Sequence, residues 1–242
     1  MFFYYKKMRN NYAVIAAGGL GTRLKDYKNN NHTKVLIDIG GISMISLQVK
    51  QLKSWGFINF IIITNSEYDD MIKTDIQSNF DDIHVEFVIQ ASPIGIADAL
   101  SHACKKIPHE SLVTFVLGDN FFGENPLKGL DWENFEGANL FVKEVENPEE
   151  FGVLELHENN IINLHEKPKE YISSLAVVGL YVYEYSCFEY IKLLKPSNRG
   201  ELEITDLNKI YMNNKQLNFL AIKSWWIDAG TEERIEELKN LI

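Results

Sequence analysis

The feature that most constrains this chain is the alternation, through its first half, of short apolar runs with stretches of helical periodicity. Tyr12–Ala17, Phe60–Thr64, Val85–Ile89 and Leu112–Leu117 each read as a buried strand. Between them, Gly41–Trp55 carries Ile42, Ile45, Val49 and Leu52 at helical spacing and stops at Gly56. Tyr68–Asn79 and Ile96–Lys106 are the next two predicted helices. Strands separated by helices predict a parallel sheet covered on both faces. The 242 residues are enough for one large α/β domain with a substantial core.

The second half changes character. Ala138–Val145 reads as a strand, and Val153–Leu156 with Ile161–His165 as a hairpin joined by Glu158-Asn159-Asn160. Val177–Tyr183 is another strand, Glu203–Met212 a helix, Leu217–Trp226 strand-like and Glu232–Leu241 a closing amphipathic helix. No repeat, low-complexity tract or linker interrupts this order, so a single domain over 1–242 is expected, with a smaller β lobe in the second half.

The first predicted strand runs into Ala17-Gly18-Gly19-Leu20-Gly21-Thr22-Arg23-Leu24. Closely spaced glycines let the backbone turn tightly and approach a ligand. Their N–H groups form an anion cradle, to which Arg23 adds a charged fork. The same pattern also suits a plain strand-to-helix turn. A dinucleotide fingerprint is not met, because Leu24 stands where its third glycine belongs, and no Gly-Lys-Ser/Thr closes a P-loop.

The net charge of −10 disfavours nonspecific binding to nucleic acid or a membrane surface, which needs a basic face. Cys104 and Cys187 have no metal-binding spacing and no disulfide framework. No segment approaches the length of a membrane span, and Met1–Tyr5 is too short for a signal-peptide core, so a cytoplasmic protein is expected.

Candidate chemical residues sit at predicted strand ends. Asp119 follows the fourth strand, where open α/β sheets bind ligands, and suits Mg²⁺ shared with phosphates. A turn aspartate bonded to its own backbone is the simpler alternative. Asp228 closes an apolar run before a helix and also reads as a helix cap. Two such aspartates beside a glycine-rich loop would suit nucleotidyl transfer. Lys34 and Lys167 are phosphate-binding candidates or simply solvated lysines. Gln90, ahead of Ser92-Pro93-Ile94-Gly95, could read a base edge or cap a loop. No G-x-S-x-G elbow and no histidine-based nucleophile pattern occurs.

Taken in order, these blocks resemble the sugar-phosphate nucleotidylyltransferase family, most of all its glucose-1-phosphate thymidylyltransferase branch. Gly21-Thr22-Arg23-Leu24 and Lys34 match its signature loop and lysine. Gln90–Ala97 resembles its base-binding segment, and Leu117-Gly118-Asp119-Asn120 its metal-binding strand end. Phe151-Gly152-Val153, Glu166-Lys167-Pro168 and Val177–Tyr181 resemble its sugar-phosphate contacts. Arg199–Asp206 is the most specific block, and Trp226–Thr231 resembles the second metal site.

The resemblance implies a Rossmann-like, mixed but mostly parallel sheet flanked by helices, with a smaller sugar-binding β lobe. The nucleotide half would span about 12–125 and the sugar-phosphate half about 138–231. It implies transfer from dTTP or UTP to a hexose 1-phosphate, first of all glucose 1-phosphate, with release of pyrophosphate. UTP with N-acetylglucosamine 1-phosphate is the alternative, and a non-catalytic nucleotide-sugar sensor the reading from another class. By the same resemblance Arg23, Lys34, Asp119 and Lys167 are catalytic, and Asp119 and Asp228 hold Mg²⁺. Ala17, Gly18, Gly19, Gly21, Thr22, Gln90, Pro93 and Gly95 bind nucleotide. Gly152, Glu166, Lys167, Val177, Arg199 and Trp226 bind the sugar phosphate. A homo-oligomer is compatible with this family.

Three positions depart from the pattern. Asp26 and an Asn-rich stretch replace a proline after the signature loop, and Val35 replaces a glutamine after the signature lysine. The chain stops at Ile242, where longer relatives continue into helices of a regulatory nucleotide site, so that site is expected to be missing.

Overall fold

The computed structural model describes residues 10–19, 24 and 33–242. The nucleotide half contains β1 (Asn11–Ala16), α1 (Met44–Ser54), β2 (Asn59–Thr64), α2 (Asp69–Asn79), β3 (His84–Ile89), α3 (Ile96–Ser101), β4 (Leu112–Leu117) and β5 (Asn120–Phe122). There follow β6 (Ala138–Glu144), β7 (Gly152–His157), β8 (Asn160–Glu166), β9 (Leu175–Glu184), α4 (Cys187–Ile191) and α5 (Ile204–Asn213). The chain ends with β10 (Leu217–Ala221), β11 (Trp226–Asp228) and α6 (Glu232–Leu241).

The main sheet has the strand order β10-β6-β9-β4-β1-β2-β3. As the alternation predicts, β1 pairs in parallel with β2 and β4, and β2 with β3. β9 then runs antiparallel to both β4 and β6, while β10 is parallel to β6. Along this path β9 alone opposes the rest, so the sheet is mixed and mostly parallel. The β7–β8 hairpin hangs from β9 through Gly152↔Val177 and Val153↔Ala176. Its two-residue turn, Glu158-Asn159, has positive φ at both positions (49° and 66°), the conformation whose twist matches a hairpin.

The central strands are buried on both faces, which explains their unbroken apolar character. Val14, Phe115 and Tyr181 belong to a core shared with α3, α4 and α5. Their chain neighbours Ile15, Val116 and Val182 face a second core with α1 and α2. A third, smaller cluster joins Leu24, Phe121, Ile227 and Ala229 to Ile235 and Leu238 of α6.

Three sequence expectations change. The predicted helix from Gly41 starts at Met44, because Gly40 and Gly41 both have positive φ and Ser43 caps the helix, accepting from Ser46 N at 3.1 Å. The helix expected to reach Lys106 ends at Ser101 and tightens into a 3₁₀ turn at Cys104–Lys106. The single run expected over Leu217–Trp226 is two strands in two sheets. β10 pairs with β6, whereas β11 leaves to pair antiparallel with β5, Trp226↔Phe122 through Asp228↔Asn120. Lys143 Nζ holds the corner between them, donating to the carbonyls of Ile222, Lys223 and Ser224 at 3.4, 3.2 and 2.8 Å. Among the described residues no helix is long and apolar enough to cross a membrane.

Candidate active site

The carboxyl ends of β1, β2 and β4 frame the site. Ala17 N donates to Ile63 O at 2.8 Å, and Gly18 O accepts from the Asn65 amide at 3.0 Å. Asn65 Oδ1 in turn accepts from Glu67 N and Tyr68 N, fixing the start of α2. A Cβ at Gly18 would sit 3.2 Å from Thr64 O, whereas one at Gly19 would meet nothing within 4 Å among the described residues. Gly18 therefore serves close backbone approach. Gly21, Thr22 and Arg23 lie outside the described residues, and Leu24 is fully buried.

Gly118 allows β4 to close on β1: its N–H donates to Ala16 O at 3.0 Å, and a Cβ would lie 2.9 Å from that oxygen. Asp119 follows. Its Oδ2 pairs with Lys34 Nζ, and its Oδ1 accepts from the Asn120 amide at 2.8 Å. Burial pushes the Asp119 carboxyl upward, but the Lys34 ammonium and the Asn120 amide more than offset that, and it is held below its ordinary value. Lys34 is buried at the start of a 3₁₀ turn, Lys34–Leu36. Asp228 comes to the same place through the β5–β11 pairing, opposite Asn120. Asp228 Oδ1 lies 3.0 Å and Lys34 Nζ 3.8 Å from the point where a Gly230 Cβ would be. Ala229 N donates to Asp119 O at 2.7 Å, locking the two strand ends together.

A second group forms the wall built from β7, β8 and β9. Gly152 pairs with Glu166 on one side and Val177 on the other. Glu166 Oε2 accepts from Thr205 Oγ1 at 2.6 Å. Arg199, exposed, is set among Glu166 (3.6 Å), Glu201 (2.5 Å) and Glu203 (3.6 Å). Burial raises the Glu203 carboxyl despite the Ser197 hydroxyl and Arg199 beside it. Lys167 is exposed with φ +43°, its N–H donating to Phe151 O at 3.0 Å.

Trp226 joins the two groups. Its indole N–H donates to Asn120 Oδ1 at 2.8 Å, and its ring meets Phe151 edge-on with centroids 5.1 Å apart. The segment expected to read the base is tied within itself and to Leu202. The Gln90 amide donates to Asp98 Oδ2 at 2.7 Å and reaches Gly95 O at 3.4 Å, so its N–H₂ is engaged within the segment. Pro93 is exposed. Gly95, with φ +120°, touches Leu202: a Cβ there would lie 2.4 Å from Leu202 O.

The structure thus brings Lys34, Asp119, Asp228 and Trp226 together, and separately Gly152, Glu166, Val177 and Arg199. Sequence reasoning did not single out Asn120, Asn65 or Thr205. Asn120 and Thr205 lie inside blocks recognised for their neighbours, and Asn65 follows an apolar strand as a turn-forming residue would.

The nucleotidyl transferase family model matches residues 12–242. The chain belongs to the nucleotidyl transferase family. A glucose-1-phosphate thymidylyltransferase of Neisseria meningitidis serogroup A is 35% identical over 236 residues, covering 95% of this chain and 81% of that protein. A Bacillus anthracis crystal structure assigned as a glucose-1-phosphate thymidylyltransferase, in complex with sucrose, superposes with a TM-score of 0.87 at 34% identity, covering 96% of this chain and 94% of the other. A UDP-glucose pyrophosphorylase bound to UDP-glucose shares the fold, with a TM-score of 0.83 at 21% identity and coverage of 96% and 97%. In this nucleotidyl transferase the matched region contains every candidate site residue named above.

Proposed function

We propose that this nucleotidyl transferase joins dTTP or UTP to a hexose 1-phosphate, first of all glucose 1-phosphate, releasing pyrophosphate in the cytoplasm. The observation that carries this reading is the meeting of Lys34, Asp119 and Asp228 at the carboxyl ends of the strands, tied through Trp226 to the Gly152–Glu166 wall. The relatives named glucose-1-phosphate thymidylyltransferase support the choice of substrates.

In the proposed reaction a phosphate oxygen of the sugar 1-phosphate attacks the α-phosphorus in line. The new P–O bond forms as the bond to pyrophosphate breaks, and the departing oxygen keeps the electron pair. The nucleophile is already anionic, so no general base is needed and the task is positioning and charge stabilisation. Gly18 and Gly19 present backbone to the triphosphate, and Arg23 and Lys34 stabilise it in the transition state. Gln90 and Gly95 line the base site, and Gly152, Glu166, Val177, Lys167 and Arg199 receive the sugar phosphate.

The donor set fits Mg²⁺. Asp119 and Asp228 offer hard carboxylate oxygens, and Mg²⁺ typically takes one or two carboxylates together with substrate phosphates and water. Among the described residues no cluster of three metal-binding side chains exists, so phosphates and water would complete the coordination. What Mg²⁺ supplies there is neutralisation of charge on the leaving pyrophosphate.

The test is pyrophosphate release by the purified protein with Mg²⁺, pairing dTTP or UTP with glucose 1-phosphate or N-acetylglucosamine 1-phosphate. Turnover is expected with glucose 1-phosphate. Turnover confined to UTP with N-acetylglucosamine 1-phosphate replaces the substrate assignment. Tight nucleotide binding without turnover on any pair would identify a sensor and overturn the reading.

A further inference from the structure

Asn120 is 1% exposed and makes three hydrogen bonds with one amide. Its nitrogen donates to Asp119 Oδ1 at 2.8 Å. Its oxygen accepts from Gly179 N at 3.0 Å and from the Trp226 indole N–H at 2.8 Å. Only one orientation of the amide allows this, since the reverse would set its N–H₂ against two N–H donors. An aspartate could satisfy the two donors but would place a second carboxylate oxygen against Asp119. The position therefore requires both a donor and an acceptor.

The sheet is built to receive this side chain. The β4–β9 ladder ends at Val116↔Leu180. Against β6, the register slips between Leu140↔Tyr181 and Val142↔Val177, so one residue of β6 faces three of β9. Gly179 lies in that bulge, and Asn120 takes up its N–H. A Cβ at Gly179 would come within 2.8 Å of Asn120 Cγ and Oδ1, so a glycine is needed for the amide to enter. Bulges of this kind often re-aim groups beside active sites.

Resting on the function proposed above, we propose that Asn120 is a positioning residue that orients the Asp119 carboxylate and couples it to the sugar-phosphate wall. Asp119 has one oxygen on Lys34 and the other on Asn120, so its rotamer is set from both sides. The far end of the amide is held by β11, through Trp226, and by β9, two residues from Val177. A displacement of the sugar-side wall is thereby passed to the carboxylate that faces the triphosphate. Loss of partners that orient a ligand carboxylate typically reduces metal affinity or activity 10–100-fold.

The test compares wild type, Asn120→Leu, Trp226→Phe and Asn139→Ala. Asn139 is another buried amide, on β6, and its side chain donates to Leu140 O, its one side-chain bond among the described residues. It reports the general effect of losing such a group. The readouts are kcat and KM for pyrophosphate release, and Mn²⁺ affinity measured by electron paramagnetic resonance with a non-hydrolysable dTTP analogue. Asn120→Leu should lower kcat and weaken Mn²⁺ binding, each by about tenfold or more, with nucleotide KM little changed. Trp226→Phe, which removes the indole N–H together with part of the ring, should shift both in the same direction and keeps the proposal testable if Asn120→Leu does not fold. Asn139→Ala should shift neither. Mn²⁺ affinity within about twofold of wild type in the folded variants overturns the inference, as does wild-type protein that binds no Mn²⁺. A wild type without turnover whose Mn²⁺ binding still weakens in Asn120→Leu would instead sink the proposed reaction and leave the role of Asn120 supported.

Discussion

Gly95→Ala should be the most informative single substitution in the chain. Gly95 has φ +120° and ψ 166°, a region open essentially to glycine alone, and forcing another residue there costs about 1–3 kcal/mol. The new methyl would lie 2.4 Å from Leu202 O and 2.6 Å from Leu202 N. The obstacle is backbone, so the strand of chain at Leu202 must retreat by about 1 Å to reach ordinary contact. That retreat breaks Leu202 N→Ile94 O (2.7 Å) and Ala97 N→Leu202 O (3.1 Å), worth about 1 kcal/mol each. Together the loss is about 3–5 kcal/mol, a large part of the 5–15 kcal/mol that holds a typical domain. Urea unfolding followed by tryptophan fluorescence measures it, with Gly19→Ala as the contrast, since among the described residues nothing lies within 4 Å of that position and its stability should change by less than about 1 kcal/mol. Arg199 lies three residues before Leu202 on the same segment and is paired with Glu201 and Glu203 on either side of it, so the sugar-phosphate KM should rise about fivefold or more even where nucleotide binding is retained. A stability loss below about 1 kcal/mol for Gly95→Ala would refute the close-packing argument.

Arg23→Ala and Asp119→Asn should each lower kcat by about 100-fold or more through lost charge stabilisation, and near-normal turnover at saturating Mg²⁺ would remove the roles assigned to them. Lys143→Met should cost about 2 kcal/mol by freeing the three carbonyls at the β10–β11 corner, and a urea midpoint unchanged from wild type would show that the corner holds without it. The Asp119 carboxyl is held below its unfolded value of 3.8, so its stabilising contribution is complete above that pH and is lost as pH falls through its lower folded value. Asp119→Asn should therefore flatten the acid side of the stability curve below about pH 4, and parallel curves for the two proteins would contradict the pairing with Lys34.

The main sheet was legible because its central strands are buried on both faces, which leaves continuous apolar runs at Val14-Ile15, Ile61-Ile62 and Phe115-Val116. β5 was not legible. It has three residues, and its partner β11 stands about a hundred residues further on, so no local pattern marks it. The division of Leu217–Trp226 escaped for a related reason. Apolar content runs through the segment, but its sheet partner changes from β6 to β5, and that change is set by Lys143 and the β5 edge. The strand-end aspartates could be located from the runs they terminate. Asn120 could not, because its three bonds come from its own neighbour, from β9 and from β11.

Motif reading also separated what the backbone joins. Gln90–Ala97 reads as a nucleotide block and Arg199–Asp206 as the family's most specific block, with Arg199 assigned to the sugar phosphate, more than a hundred residues apart. In the fold they meet at Gly95 and Leu202 through two backbone hydrogen bonds and a contact that only glycine permits. Asn120 makes a corresponding link between Asp119 and β9. Each half of the site is therefore fastened to the other by the Gly95–Leu202 contact and by Asn120, as well as through Trp226 and Phe151. In-line transfer between two anions depends on their relative placement more than on any one contact. The residues whose loss should be felt most in kcat thus include the Gly95 and Asn120 fastenings along with the charged groups that the motifs display.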